Sequence, residues 1–218
     1  MKKSISKLYT NFLGKEQKKI LEELKPFSDI SVLGGGTALC MQLVHRSSYD
    51  FDLFVSSPIA KTLLNNIIKI FGKNRIETLA DSSDELTVLI SRQVKISFIY
   101  FPFPHLYPYI KSHSIPILYW KDIASDKAYA IGRRGEYRDY VDLFFVLEKG
   151  MGLAEIIKDA EKKFKSNFSA KLFLSQLVYF DDLSDFTIDF IGKAYAVTEI
   201  KHLLEEFISA YTRGFLAL

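Results

Sequence analysis

The sequence predicts an α/β N-terminal half followed by an all-helical C-terminal half. Three observations indicate this division: an apolar strand that ends in a glycine run, several strand-like segments mid-chain, and helical periodicity over the remainder. The segment FPFPHLYP, residues 101–108, holds three prolines and ends regular structure between the halves. We therefore expect an α/β core over residues 1–115 and a helical domain over residues 116–218.

The elements of the first half follow from periodicity and from the positions of glycine and proline. Leu, Phe and Ile alternate with Lys and Glu at helical spacing over residues 4–26, which predicts an amphipathic first helix. Pro58 is placed to start a helix over 58–72, and Gly72 to close it. The other predicted elements are a helix over 37–45 and strands over 31–34, 50–55, 75–80, 85–91 and 94–100.

The second half shows helical periodicity from residue 118 onward. Apolar residues recur there at the spacing that buries one face of each helix. The predicted helices span 119–132, 136–148, 152–165, 168–180 and 195–212.

Composition indicates a folded globular protein, with 48% hydrophobic and 25% charged residues. A net charge of +3 does not indicate a nucleic-acid-binding protein. The single cysteine, Cys40, excludes an internal disulfide and a multi-thiolate metal site. The basic N-terminus lacks the apolar segment of a signal peptide, and no run reaches the roughly 18 apolar residues of a membrane span. We expect a soluble cytoplasmic protein without membrane contact.

Two carboxylates in the stretch LGGGTALCMQLVHRSSYDFDLF, residues 33–54, indicate a metal site. Asp50 and Asp52 are separated by Phe51 on a predicted strand, so strand alternation sends both carboxylates to one face. Two carboxylates that close repel each other unless a cation lies between them. Oxygen ligands of this kind suit Mg²⁺ or Mn²⁺. The spacing therefore predicts a divalent ion held by Asp50 and Asp52.

The glycine run in the same stretch indicates a phosphate site. A strand that turns through three glycines, residues 34–36, into a helix aims backbone N–H groups and the positive end of the helix dipole at an anion. The Thr37 hydroxyl offers a cap or a further donor, and Arg46 offers charge-assisted hydrogen bonds. Each feature alone has a plainer explanation, a common turn before a helix or a solvated strand edge. Their combination in this order favours a triphosphate–metal site.

This stretch resembles the first motif of the nucleotidyltransferase AbiEii/AbiGii toxin family, within the DNA polymerase β-like nucleotidyltransferase superfamily. The resemblance implies a nucleotidyltransferase core with a mixed sheet, followed by a helical bundle that completes the active-site cleft. It also implies that Ser48 helps the glycine amides and Thr37 hold the β- and γ-phosphates. The matching residues are Gly35, Gly36, Thr37, His45, Arg46, Ser48, Asp50, Asp52 and Leu53.

A second segment, residues 122–147, is similar to the later motifs of the same family. By this resemblance Lys127 would contact the phosphates of the nucleotide, and Asp139 would act near the reacting hydroxyl as a base or a metal-shell residue. Without the first motif, Asp139 and Asp142 read as acids at a helix start, and Lys127 as a surface lysine. The matching residues are Lys127, Ala128, Arg138, Asp139, Asp142 and Leu143.

Ser97 departs from the pattern of the superfamily, which usually places a third carboxylate on a later central strand. Serine is a weak, neutral ligand, so a second metal ion would be held poorly. Three interpretations stay open at this point. Asp139 replaces the missing charge, or one ion is bound, or the chain binds nucleotide and catalyses little.

The resemblance implies a metal-dependent transfer of a nucleoside monophosphate from an NTP to a hydroxyl of RNA (a tRNA end) or of a protein. It also implies the toxin of a toxin–antitoxin or phage-defence pair, with a cognate antitoxin as partner. The alternative is a catalytically weak nucleotidyltransferase-like module that binds nucleotide, RNA or protein. A metal-dependent phosphohydrolase is disfavoured because the sequence shows no His-Asp metal cluster. Four lysines between residues 158 and 165 favour a solvated helix face over RNA binding.

Overall fold

The computed structural model describes residues 7–216. It contains a five-stranded mixed sheet and, over the described residues, eight α-helices, so the predicted α/β fold class is confirmed. The chain divides into two compact units. The first comprises Met1–Pro104 and Pro108–Tyr119, and the second comprises His105–Tyr107 and Trp120–Leu218.

The sheet of the first unit has the strand order β1-β2-β5-β4-β3. Strands β2 and β5 run parallel, and the other neighbouring pairs run antiparallel. The parallel pair lies inside the sheet and joins two strands that are about forty residues apart in the chain. The strands are β1 Val32–Gly34, β2 Phe51–Val55, β3 Ile76–Asp81, β4 Glu85–Ile90 and β5 Val94–Tyr100.

One face of this sheet carries the apolar core of the first unit. Phe51 and Leu53 of β2 are fully buried, as are Ile96 and Phe98 of β5. Because side chains alternate along a strand, the residues between them point to the opposite face, where the polar side chains lie. The helices of this unit are α1 Lys15–Glu23, α2 Gly35–Leu43 and α3 Leu63–Phe71.

All three predicted helices of the first half start at other residues in the structure, and α2 begins at Gly35 instead of residue 37. The prediction that Pro58 begins a helix is wrong, because α3 begins at Leu63. The backbone N–H of Ile59 instead donates to Ser83 O at 2.7 Å, which ties this segment to the β3–β4 turn. Helix α1 begins after Gly14, whose N–H donates to the Gln17 side chain at 2.9 Å. The first three residues of the predicted 4–26 helix lie outside the described residues.

The second unit is helical throughout its regular structure. Every predicted helix of this half is present, with α7 shorter than expected because a turn at residues 177–178 follows it, closed by the hydrogen bond from Tyr179 N–H to Gln176 O. No helix within residues 7–216 is long and apolar enough to cross a membrane. The helices are α4 Trp120–Arg134, α5 Tyr137–Glu148, α6 Leu153–Phe164, α7 Ala170–Gln176 and α8 Val197–Leu216.

A buried carboxylate explains why three residues of the proline-rich segment belong to the helical unit. Asp122 of α4 is fully buried and accepts the backbone N–H groups of Leu106 at 2.8 Å and Tyr107 at 2.9 Å. The Tyr107 hydroxyl donates to Asp159 of α6 at 2.7 Å. These bonds attach the segment to two helices of the second unit.

Candidate active site

The glycine turn between β1 and α2 allows an acidic side chain to approach the helix start. Gly35 has a φ of +62°, which L side chains rarely adopt. A Cβ at Gly35 would lie 2.1 Å from Asp52 Oδ2, and a Cβ at Gly34 would lie 2.5 Å from the Phe54 ring. Glycine is therefore required at both positions, because side chains of β2 occupy the space that a larger residue would need.

Asp52 thus lies against the first residue of α2. Its strand neighbours Phe51 and Leu53 are anchored in the core, and β2 pairs with β1 so that Asp52 stands opposite Gly34. The N-terminal end of a helix dipole favours negative charge, so this position stabilises a carboxylate or another anion. The structure thereby brings together the predicted metal ligand Asp52 and the predicted phosphate-binding turn.

Two predicted phosphate-binding residues, Arg46 and Ser48, lie beside Gly36, the second residue of α2. The Arg46 Nη2 atom lies 2.6 Å from the position of a Cβ on Gly36, and Ser48 Oγ lies 3.3 Å from it. Arg46 is 5% exposed and donates from Nη1 to Ser47 O at 2.9 Å. The guanidinium therefore lies over Gly36, which places a cation at the predicted phosphate site.

Thr37 differs from its predicted role as a direct phosphate donor. Its side chain is 1% exposed, and its hydroxyl contacts Ser48 Oγ at 2.8 Å and donates to Asp50 O. A hydroxyl carries one proton, and here that proton is used inside the protein. Thr37 therefore joins α2 to the segment that leads into β2, and it fixes Ser48 and Asp50 rather than facing a ligand.

The turn that leads from α2 toward Arg46 has an unusual backbone. Val44 ends α2 with φ 56° and ψ 42°, the left-handed conformation. A β-branched residue is strained there, at a cost of roughly 1–3 kcal/mol. The strain persists where the surrounding structure enforces it, and here it lets the chain reverse between α2 and the residues before β2.

Asp50 lies on the same sheet face as Asp52 but has a cation partner that the sequence did not indicate. Its Oδ2 atom lies 3.1 Å from Lys95 Nζ, with about a third of each side chain exposed. Lys95 precedes Ile96, which is buried in the core, so Lys95 and Ser97 point to the face of Asp52. The alternation of VKISF indicates that Lys95 and Ser97 share a face, but only the β2–β5 register shows that this face is the one that carries Asp50 and Asp52.

The predicted Lys127 and Asp139 lie in the second unit, where they pair with each other. Lys127 Nζ lies 2.6 Å from Asp139 Oδ1 and 2.7 Å from Asp142 Oδ2. Lys127 is 8% exposed and Asp142 is fully buried, so neither is a surface residue. Asp139 also accepts the Glu136 N–H at 3.1 Å, the position of an acid that caps α5. The catalytic roles suggested for Lys127 and Asp139 stay predictions.

A second group of buried charges lies in the same unit and was not anticipated. Lys163 is fully buried and contacts Asp126 at 2.7 Å and Asp122 at 3.2 Å. Burial raises the pKa of Asp126 to about 6, against the opposing effect of Lys163. Burial and the nearby Lys163 lower the pKa of His105 to about 4. Of the four lysines considered for RNA contact, Lys163 is therefore an internal counter-ion.

Comparison with known proteins gives one family and one relative of substantial identity. The model of the family described as "Nucleotidyl transferase AbiEii toxin, Type IV TA system" matches residues 19–211. An uncharacterized protein of Aquifex aeolicus (strain VF5) is 34% identical over 175 residues, which covers 78% of this chain and 84% of the relative. The family match includes both sheet and helices.

Two of the solved structures with a similar fold come from bacteria. MenT4, a nucleotidyltransferase toxin from Mycobacterium tuberculosis, has a TM-score of 0.58 at 13% identity, covering 88% of this chain and 82% of that one. JHP933 from Helicobacter pylori has a TM-score of 0.50 at 17% identity, covering 96% of this chain and 98% of that one. At these identities the likeness concerns the fold.

Proposed function

Because the chain belongs to the AbiEii nucleotidyltransferase toxin family, we propose that it transfers a nucleoside monophosphate from an NTP to a hydroxyl of RNA or of a protein. Among RNA hydroxyls, the 3′ end of tRNA is the first candidate acceptor. The biological role would be that of a toxin held in check by a cognate antitoxin.

The observation that carries the proposal is the contact between Asp52 and the glycine turn. Gly35 adopts a φ of +62°, and a Cβ added to it would lie only 2.1 Å from the Asp52 carboxylate. Phosphate oxygens bound at the amides of the turn would therefore lie beside an acidic side chain that prefers a hard cation.

The donor set of this face fits a divalent ion. Asp50 and Asp52 offer carboxylate oxygens, and Ser97, the register partner of Asp52, offers a hydroxyl oxygen. Hard oxygen donors are the ligands of Mg²⁺ and Mn²⁺. Asp50 and Asp52 would hold the ion, which would neutralise charge on the triphosphate. The Lys95 ammonium lies 3.1 Å from Asp50 Oδ2 and already neutralises part of the negative charge of Asp50.

The residues of the turn would position the substrate rather than react with it. The amides of Gly35 and Gly36 lie at the positive end of α2 and would hold the β- and γ-phosphates. Arg46, over Gly36, would add charge-assisted hydrogen bonds to the same oxygens. Ser48, fixed by Thr37, would hold its hydroxyl toward them. An acceptor hydroxyl would then attack the α-phosphorus and release pyrophosphate.

Two residues of the second unit enter the proposal by family resemblance. Lys127 would contact the nucleotide phosphates, and Asp139 would act near the acceptor hydroxyl. Lys127 and Asp139 form an ion pair at 2.6 Å, and Lys127 also contacts Asp142. To bind the phosphates, Lys127 would have to give up part of its contact with these two carboxylates.

Label transfer from each radiolabelled NTP, with Mg²⁺, to total tRNA or to protein tests the proposal. We expect transfer by the wild-type protein and a loss of at least about 10²-fold in Asp52→Asn, since the variant removes charge stabilisation at the reacting phosphates. Asp81→Asn, at the exposed end of β3, is the matched control and should retain activity. Transfer at the wild-type rate in Asp52→Asn would reject the site, and the labelled molecule identifies the acceptor.

Ser97 favours a second function, a nucleotide- or RNA-binding module with weak catalysis. A neutral hydroxyl stands where the superfamily usually has a third carboxylate, so the site holds less negative charge. Measurable NTP binding without transfer to any RNA or protein acceptor would select this function.

A further inference from the structure

A row of polar side chains crosses the sheet from the proposed site to solvent. In register, Asp52 of β2 is paired with Ser97 of β5, and Ser97 is paired with Thr87 of β4. Ser97 Oγ lies 2.9 Å from Thr87 Oγ1, and Thr87 Oγ1 lies 2.5 Å from Glu85 Oε1. Directly paired residues share a face, so all four side chains lie on the face opposite the core.

The two hydroxyls in this row are buried, whereas Glu85 is exposed. Ser97 is 5% exposed and Thr87 is 4% exposed. Buried hydroxyls on a sheet face need partners, and these two partner each other and a carboxylate. The row therefore connects a position beside Asp52, which water reaches poorly, with a carboxylate in contact with solvent.

The chemistry of the three groups fixes the direction of the hydrogen bonds. An ionised Glu85 only accepts, so Thr87 must donate its single proton to Glu85. Thr87 then has lone pairs for Ser97, and Ser97 donates to Thr87. The Ser97 oxygen consequently keeps its own lone pairs for a donor on the Asp52 side. Because the chain of bonds ends on an anion, each bond strengthens the next and makes Ser97 a better acceptor.

We propose that the Ser97–Thr87–Glu85 row replaces the missing third carboxylate and takes the proton of the attacking hydroxyl. This inference rests on the proposed nucleotidyl transfer. It assigns Ser97 as the group that contacts the acceptor hydroxyl, and it assigns Thr87 and Glu85 as positioning residues that act through Ser97. The third acid of the site is thereby on β4 instead of β5.

The proton and electron pairs balance along the row. As the acceptor oxygen bonds to the α-phosphorus, the bond between that phosphorus and the bridging oxygen of pyrophosphate breaks, and pyrophosphate leaves with the electron pair. The acceptor proton passes to Ser97, the Ser97 proton to Thr87, and the Thr87 proton to the Glu85 carboxylate. Glu85 then releases its proton to water because it is exposed.

The test compares Glu85→Ala with Glu77→Ala in the same label-transfer assay. Glu77 is an exposed acid of β3 with no place in the row, so its variant should keep the wild-type kcat. We expect Glu85→Ala to lower kcat by about 10²-fold, the lower range of general base catalysis, with little change in NTP Kd. Added acetate should restore much of the lost kcat, because an external carboxylate can reach the exposed end of the row.

Thr87→Val and Thr87→Ser test the middle of the row in case Glu85→Ala disturbs β4. The valine variant should lose kcat without rescue by acetate, and the serine variant, which keeps the hydroxyl, should recover most of it. A wild-type kcat in Glu85→Ala, or a loss of kcat that acetate does not restore, would reject the proton-transfer role of the row. The proposed nucleotidyl transfer would be unaffected by either result. A wild-type protein that transfers no label would overturn both.

Discussion

The two units of the molecule use their acidic residues in opposite ways. In the first unit, Asp50 and Asp52 sit at a sheet face with part of each side chain exposed. In the second unit, Asp122 and Asp142 are fully buried and each contacts a buried lysine. The first arrangement keeps the carboxylates partly exposed, with Lys95 beside Asp50, whereas the second neutralises its carboxylates inside the protein.

This difference shows how to separate a ligand site from a structural ion pair when both contain acids. Burying a carboxylate costs several kcal/mol unless a cation and hydrogen bonds compensate, which the helical unit supplies with Lys163 and Lys127. The carboxylates of Asp50 and Asp52 are partly exposed and carry no comparable burial cost, so the close approach of Asp52 to the glycine turn needs a separate explanation. The proposed substrate site would account for it, and each prediction below tests one side of the comparison.

The largest effect should come from Lys163→Met in the helical unit. The variant leaves the fully buried Asp122 and the largely buried Asp126 without their lysine, and breaking a buried ion pair costs about 3–5 kcal/mol. Urea unfolding should show this loss of stability. Lys162→Met, one residue away and exposed on α6, should change the stability little. Equal stability of the two variants would contradict the structural role of Lys163.

Lys127→Ala should destabilise by a similar amount, because the fully buried Asp142 then loses the ammonium that lies 2.7 Å from its Oδ2 atom. The double variant Lys127→Ala/Asp142→Asn should regain most of the stability, since the buried charge is gone. Label transfer by the stable double variant then measures the proposed phosphate contact of Lys127 without the folding defect. Full transfer by the double variant would confine Lys127 to a structural role.

Gly35→Ala should lose nucleotidyl transfer with a moderate cost in stability of about 1–3 kcal/mol. The added Cβ meets a strained φ and also displaces the Asp52 carboxylate. Gly72→Ala is the matched control, because Gly72 has φ +82° and no atom within 4 Å of its added Cβ. It should show the strain without the loss of transfer. Loss of transfer in both variants would show that the effect is one of folding.

The smallest net effect should be in the pH dependence of stability between pH 4 and 6.5. His105 has a lowered pKa of about 4, so the unfolded chain binds the extra proton in this range and stability rises with pH. Asp126 has a raised pKa of about 6, so the folded chain binds the extra proton and stability falls with pH. The two contributions oppose each other.

Variants separate these two contributions. His105→Gln should leave the Asp126 effect, so urea stability should fall as the pH rises from 4 to 6. Asp126→Asn should leave the His105 effect, so stability should rise over the same range. Parallel pH profiles of the two variants would contradict the opposed titrations.

Much of the first unit was predictable because its signals are local. The glycine run predicted a strand–turn–helix, and alternation predicted that Asp50 and Asp52 share a face, as they do. The start of α3 was not predictable from Pro58, because a hydrogen bond from Ile59 to a distant turn decided it. The sequence gives no sign that the Thr37 hydroxyl has a partner inside the protein. The folded chain returns at residue 48 and places Ser48 Oγ next to this hydroxyl.

The sequence alone determined the α/β class, the family and the residue types of the site, since periodicity, glycine spacing and short motifs act within a few turns or strands. The tertiary structure decided which polar and charged side chains meet: Lys95 with Asp50, Lys127 with Asp142, and Glu85 with Ser97 through Thr87. The physical reason is that strand register and helix packing join residues that are far apart in the chain. Alternation gives the face on which a side chain lies, and only the register gives its neighbour.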